Sequence, residues 1–530
     1  MMRVRPILSK QPASPAHRQH GALIQLFEQS DLASTSLRDR LCAALRQAIR
    51  LGALSPRQRL PSSRLLATDL QLSRITVEAA YAQIEAEGYI TRHVGKGTFV
   101  SAEVLAAANG VNPLQGNAPR RSTTKASRKL QDDRPAFAQE KTSSALLSAR
   151  GAEIIATGGC RDPQTPLPFA AGSPDLRAFP LKLWRQLTNK TLRLGGERLL
   201  GYGDPQGYIA LREAVAGYLQ QSRGVLCSAE HVVITTSSQQ ALQLLATLLI
   251  DNGDPVWIEQ PGYLGARNAF ASAGAHLHGI PVDEQGVALA DNLPPPRLIY
   301  LTPSHHYPTG VSLSLPRRIA MLDYAKRQAS WIIEDDYDSE LHYDGRPLPA
   351  MQGLDTHQRV IYLGTFSKVL FPSLRLAYMV LPPALVAPAT TLRTVYDGHT
   401  SQLMQAVTAE FIQQGHFAAH LRYMRQLYQS RRDSLLTQIK QKLGDWITPQ
   451  PSAGGLQLAV RLPVGQEAIL SQQAQRLGVI TPGLSALYLP NADTAISTVK
   501  DGWLLGFSAL TPGEITAAVD RLQKLGNQRQ

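Results

Sequence analysis

The stretch "YLGTFSKVLFPSLRLAY", residues 362–378, sets Lys368 in an apolar, hydroxyl-rich run and follows it seven residues later with Arg375. The surrounding leucine, valine, phenylalanine and tyrosine describe a half-buried setting, where an ammonium loses hydration unless it is paired or converted into another species. A Schiff base with an aldehyde is such a conversion. A nearby arginine would hold a phosphate on that aldehyde through a bidentate, charge-assisted pair. Pyridoxal phosphate (PLP) is the aldehyde this pairing suggests.

Outward from Lys368, the chain from about residue 166 alternates helical segments with short apolar runs: "VVITT" from 232, "PVWIEQP" from 255, "RLIYLTP" from 297, "SWIIEDDY" from 330 and "RVIYLG" from 359. Several are apolar at successive positions, as expected of strands in a largely parallel sheet covered on both faces. The fold class is α/β. From about 384 the pattern turns helix-rich and then strand-like near "GGLQLAV" and "GWLLGFS", a smaller C-terminal subdomain.

PLP held by a lysine has further needs: amide donors at a helix start for the phosphate, a carboxylate for the pyridine nitrogen, a stacking ring, and a donor for the phenolic oxygen. In "VVITTSSQQALQLLATLL" a strand enters a helix through a hydroxyl-rich turn, which places Ser238 and Gln239 at the phosphate. In "WIIEDDYDSE" alternation puts Asp335 and Tyr337 on one face, carboxylate to ring nitrogen and phenol to ring oxygen. Tyr263, after a strand in "EQPGYLGAR", is placed to stack on the ring. The acids Glu334, Asp335, Asp336, Asp338 and Glu340 are split between faces by the same alternation, "SHHYP" lacks an HExxH spacing, and no metal is expected.

The 530 residues exceed what one core usually serves, and 43% apolar content suffices for more than one. Three scattered cysteines suggest a reducing compartment, and no apolar run reaches membrane-spanning length. With no secretory leader pattern at the N-terminus, a cytoplasmic protein is expected. The net charge of +13 is concentrated: residues 1–130 hold 19 Lys and Arg against 8 Asp and Glu, an excess of +11. Such polarity suggests an N-terminal module that meets a polyanion. Its periodicity agrees. Leu37, Leu41, Leu45, Ala48 and Ile49 recur at helical spacing before Gly52. Ser62 or Ser63 then caps a helix carrying Leu65, Leu66 and Leu70, and Ser73 caps one carrying Val77, Ala80, Tyr81 and Ile84. The tight turn between them makes a helix-turn-helix, and "YITRHVGKGTFV" reads as a hairpin wing. Arg64, Ser73, Arg74 and Thr76 would reach phosphates and base edges, with the glycines around Lys96 letting the wing approach the duplex. The Ser-, Thr- and Pro-rich residues 102–165 read as a linker after the winged helix at 34–101, and 1–33 as an N-terminal extension.

Residues 36–100, through "LPSSRLLATDLQLSRITVEAAYAQIEAEGYI" and "GKGTFV", resemble the winged-helix domain of the GntR regulators. The resemblance implies that Arg64, Ser73, Arg74, Thr76 and Gly95 contact double-stranded operator DNA. From 166 to 525, through "GYGDPQGYIALREAV", "EQPGYLGARNAF", "TPSHHYPTG", "IIEDDYDSE" and "GTFSKVLFPSLRLAY", the chain resembles the fold-type I aminotransferases, and the domain order is that of the MocR subfamily. This implies a Schiff base at Lys368, Asp335 on the pyridine nitrogen, Tyr337 on the ring oxygen, and a phosphate cup of Ser238, Gln239, Thr365 and Arg375. Tyr202 would reach in from the second subunit of a head-to-tail homodimer. Two departures stand out. Ser237 occupies a position where the family commonly has glycine, and Leu504 lies where many relatives place an arginine for a substrate carboxylate.

The expected function is a transcription regulator, not an enzyme, whose aminotransferase-like domain binds PLP and senses PLP itself or an amine or amino-acid ligand. The alternatives are an active PLP-dependent aminotransferase with a DNA-binding appendage, and a DNA-binding protein whose body only dimerises. Leu504 disfavours the first, because an apolar residue offers a carboxylate no donor. The lysine, aspartate and arginine set disfavours the second.

Overall fold

The computed structural model describes residues 23–28, 36–93, 95–101, 147–159, 168–289, 292–345, 348–489 and 501–527. The chain forms two units, one within residues 1–136 and one within 137–530. In the first, serine hydroxyls set the helix starts. Helices α1 (Leu37–Arg50), α2 (Ser63–Asp69) and α3 (Arg74–Ala86) are capped by Ser36, Ser62 and Ser73, which accept from the N–H groups of Asp39, Leu65 and Thr76. Each cap satisfies one orphan donor of a first turn, worth about 1 kcal/mol. Leu41, Leu45 and Ile49 of α1 meet Leu66, Val77, Tyr81 and Ile84 in one core, joined by Leu23 and Phe27 from the short helical segment at 23–28. Leu65 departs from the expected apolar face and is 47% exposed. Neighbours on a helix point about 100° apart, and Leu66 takes the inward direction. Strands β1 (Ile90–His93) and β2 (Gly97–Val100) pair antiparallel as the wing. Arg92 ties the wing to α3, 3.2 Å from Glu78 and over the ring of Tyr81.

The second unit opens with α4 (Ala149–Ala156), α5 (Leu181–Gly195) and α6 (Ile209–Arg223). Its main sheet holds β3 (Val232–Thr235), β4 (Pro255–Gln260), β5 (His276–Asp283), β6 (Gly286–Val287), β7 (Leu298–Leu301), β8 (Trp331–Asp336), β9 (Val360–Thr365) and β10 (Ala377–Val380). They are ordered β3-β10-β9-β8-β7-β4-β5-β6. The run β9-β8-β7-β4-β5 is parallel, while β10 lies antiparallel between β3 and β9. Consecutive residues serve opposite cores: Ile332, Ile299 and Trp257 one, Ile333, Tyr300 and Ile258 the other. A strand covered on both faces has no polar side, which is why these runs are apolar throughout.

Helices α7 (Ser238–Leu249), α8 (Leu264–Ser272), α9 (Leu315–Gln328), α10 (Pro383–Tyr396) and α11 (Gln402–Gln413) belong to the body around this sheet, before the 27-residue α12 (His416–Lys442). At about 40 Å, α12 carries the chain to the second sheet. That sheet is β11 (Thr448–Pro449), β12 (Gln457–Arg461) and β13 (Gly502–Gly506), all antiparallel, with α13 (Glu467–Arg476) and α14 (Pro512–Asn527). Phe169 bridges to Gly506, where a Cβ would stand 2.1 Å from the Ala170 carbonyl oxygen. The glycine therefore lets residues 169–172 lie against β13, and this contact positions one wall of the site.

Candidate functional site

Four strands, β3, β4, β8 and β9, deliver the side chains at their C-terminal ends. Lys368 follows β9, and its ammonium donates to the Gly172 carbonyl at 3.0 Å. Gly172 sits at φ +78°, and a Cβ there would lie 3.1 Å from Lys368 Nζ and 3.8 Å from Gln457 Oε1. Asp335, near the end of β8, is buried and feels the Lys368 charge. Its Oδ2 accepts the Tyr300 hydroxyl at 2.7 Å, while Oδ1 is buried with no hydrogen-bond partner among the described residues. Burial pushes its carboxyl up to about 7, with Asp336 and Asp338 adding to the rise and Tyr300 and Lys368 opposing it. The Oδ1 atom is an acceptor awaiting a charged donor, since an unmet buried acceptor costs about 1–3 kcal/mol.

Tyr337, just past β8, places its hydroxyl 3.2 Å from His305 Nδ1. His305 in turn lies 3.0 Å from Asp338. Burial lowers the basicity of His305, but the Asp338 carboxylate outweighs it, so the imidazole is held above its ordinary pKa. Tyr263 precedes α8 and meets Tyr307 edge-to-face at 5.6 Å, and Tyr307 meets Tyr337 at 6.0 Å. At the start of α7, Ser237 is the cap, its hydroxyl accepting from Gln240 N at 3.1 Å. The amides of Ser238 and Gln239 are left without intrahelical acceptors. Gln239 also donates through Nε2 to the Gly265 carbonyl at 3.0 Å. Thr365, ending β9, is buried and accepts from Ser367 N at 3.2 Å, which leaves its hydroxyl proton free to donate. Arg375 is exposed in the left-handed region at φ +54°. A non-glycine residue there costs about 1 kcal/mol or more. Tyr202 is fully exposed, its ring edge-on to His399 at 6.1 Å.

Lys368, Asp335, Tyr337, Tyr263, Ser238, Gln239 and Thr365 all lie at or just past the ends of β3, β4, β8 and β9, with Arg375 in the turn after Lys368. Gly172, Gln457 and the Asp338–His305 pair escaped sequence reading. Gln457 Oε1 is a second buried acceptor without a partner among the described residues. Of the remaining acids, Glu334 and Asp336 have separate partners, while Glu340 keeps a buried Oε2 with no hydrogen-bond partner among the described residues. Asp336 pairs with Arg223 at 2.9 Å and accepts the Tyr362 hydroxyl at 2.6 Å, and Glu334 accepts the amides of Met351 and Gln352. Among the described residues no group of three or more His, Cys, Asp or Glu is arranged to hold a metal.

On the winged helix, Arg64, Ser73, Arg74, Gly95 and Lys96 are all exposed, and Thr76 is partly so. Ser73 and Thr76 hydroxyls lie 2.8 Å apart, and Arg74 is only loosely paired with Glu78 at 3.9 Å. Ile75, between Arg74 and Thr76, is 82% exposed. In DNA-binding proteins, apolar side chains at the front of a recognition helix can meet thymine methyl groups, and sequence periodicity had no use for this one.

Residues 37–100 match the family "Bacterial regulatory proteins, gntR family", and residues 165–522 match "Aminotransferase class I and II". The chain is 36% identical over 496 residues to the "Probable rhizopine catabolism regulatory protein MocR" of Rhizobium meliloti, covering 93% of this chain and 94% of that one. The chain belongs to the MocR type of GntR-family regulators. Another relative is the "HTH-type pyridoxine biosynthesis transcriptional regulator PdxR" of Corynebacterium glutamicum, 28% identical over 83% of this chain and 87% of that one. Among solved structures, LysN, the alpha-aminoadipate aminotransferase of Thermus thermophilus complexed with N-(5'-phosphopyridoxyl)-L-leucine, superposes with a TM-score of 0.65 at 28% identity, covering 73% of this chain and 98% of that one.

PLP is the cofactor the MocR architecture implies, and the residues fit it: Asp335 Oδ1 is the vacant acceptor a pyridinium needs, and the free amides of α7 suit a phosphate. Where the sequence reading looked for an arginine toward a substrate carboxylate, the surroundings are apolar. Leu504 on β13 is buried with Ala459 and Leu484 and packs beside Ala171 and Tyr307. A carboxylate arriving there meets methyl groups. Among the described residues, no helix is long and apolar enough to cross a membrane.

Proposed function

We propose that this protein is a transcription regulator whose body holds PLP at Lys368 and reports its occupancy, by PLP or by an amine that reacts with it, to the winged helix. The observation that carries the reading is the buried, unpartnered Oδ1 of Asp335, a carboxylate that feels the Lys368 charge, set against the apolar surroundings of Leu504. When bound, PLP supplies an aldehyde that takes up amines and a ring that withdraws electrons. Lys368 offers the amine that anchors it, Asp335 accepts the ring N–H, and Tyr337, ordered by His305 and Asp338, donates to the ring oxygen. The amides of Ser238 and Gln239, the Thr365 hydroxyl and the Arg375 guanidinium hold the phosphate, and Tyr263 covers the ring.

Without an arginine at position 504, an amino acid lacks its bidentate anchor, so turnover is weak and binding is the output. Leu200, Tyr202, Val395 and Tyr396 are exposed around the loop that meets the end of α10. These apolar side chains support a homodimer in which Tyr202 reaches its partner's phosphate. Binding that favours one of two conformations shifts their balance by its differential affinity. The test is an absorption spectrum of the purified protein together with operator-binding titrations with and without PLP. A visible band and a changed DNA affinity or footprint are expected. A protein that stays colourless with added PLP sinks the cofactor reading, and identical DNA binding in both arms sinks the sensing.

A further inference from the structure

A cavity of about 370 Å³ opens between the segment after β8, at Ser339–Gly345, and the first turns of α12. This volume suits a small metabolite. Arg422 and Arg425 lie three residues apart on α12 and so share a face, and both line the cavity. Farther along the same helix, Arg431 and Arg432 pair at 2.7 Å with Asp175 and Asp344. Arg422 and Arg425 have no acidic partner among the described residues. Arg425 reaches only the Glu340 carbonyl, at 3.4 Å.

No carboxylate side chain stands on the cavity wall. Ser339, 6% exposed, is a minor part of the wall. His342, its basicity lowered by burial, gives Nε2–H to the Asp344 carbonyl at 2.9 Å. Gln426 and Gln429 add amide donors. Two guanidiniums without an acidic partner among the described residues, with amide donors beside them and no carboxylate on the wall, describe an oxyanion receptor, because bidentate arginine bonds to phosphate or carboxylate are the strong, directional ones.

We propose that this cavity binds a small organic oxyanion, a phosphate monoester or a carboxylate, between Arg422 and Arg425. The site is separate from the Lys368 cup and does not depend on it.

The test titrates full-length protein, saturated beforehand with PLP, with inorganic phosphate and separately with succinate, by calorimetry. One saturable site per chain is expected for at least one probe. Binding of phosphate alone assigns a phosphorylated ligand, binding of succinate alone a carboxylate, and binding of both the shared oxyanion chemistry. Arg422→Gln with Arg425→Gln weakens binding by about tenfold or more, while Arg422→Lys with Arg425→Lys, which keeps the charge but loses the fork, falls between. The visible absorption is unchanged in all of them. Absence of saturable binding by both probes overturns the proposal, as does undiminished affinity in the double glutamine variant. Loss in Arg375→Ala instead assigns the signal to the phosphate cup and overturns it too. So does a double variant whose only defect is weaker operator binding, because the arginines are then DNA contacts.

Discussion

Asp335 carries the clearest single-residue consequence. Its folded-state pKa of about 7 stands above the ordinary 3.8. Between those values the folded protein without cofactor keeps a proton the unfolded chain has released, so this group's contribution to stability falls as pH rises through that window and levels off above it. Asp335→Asn removes the dependence. In cofactor-free protein the variant is expected to be more stable than wild type at pH 8 by about 2 kcal/mol or more, with the difference vanishing near pH 4, as read from thermal unfolding at several pH values. The same variant binds PLP more weakly. Lys368→Ala loses the visible absorption outright, and a band that persists would place the attachment elsewhere. Leu504→Arg should raise the rate at which amino acids bleach the band, since it restores a bidentate partner for the carboxylate. Lys368, Asp335 and Arg375 were legible because each is a charged group in a run that otherwise asks for burial. Gly172 was not, because it meets Lys368 across 196 residues of chain, and neither periodicity nor spacing spans that distance.

At the scale of elements, sequence patterning read the strands that are apolar on both faces and the helices that serine caps begin. It read them less well where tertiary contact decides. β10 begins at the end of the quoted stretch around Lys368 but runs antiparallel in a mostly parallel sheet, a direction set by the turn at Arg375 and not by composition. The recognition helix yields two outcomes. Arg74→Ala should weaken operator binding and lower its salt slope by about 1 while leaving the visible absorption intact. Ile75→Ala should cost about 1 kcal/mol at one A·T position and little elsewhere, seen by comparing operators that differ at single base pairs; uniform loss would make Ile75 a packing residue. In the wing, Gly97 sits at φ +109° with Arg59 Nε 2.8 Å from where its Cβ would be. Gly97→Ala therefore strains the hairpin and should reduce DNA affinity even though no contact to DNA is deleted.

Across the whole molecule, charge and chemistry are divided. Residues 1–130 hold +11 of the +13 net charge, so DNA affinity should fall steeply with salt, whereas PLP uptake should respond far less. The family assignment was legible because both halves carry their motifs in order. The phosphate cup holds a detail of another kind. At the start of α7, Ser237 turns its own hydroxyl to the Gln240 amide, so an incoming phosphate finds two open backbone donors there instead of three. A looser grip shortens residence time. On the proposed reading, the vitamin-derived ligand comes and goes with its free pool, and occupancy becomes a gauge of supply instead of a permanent fixture.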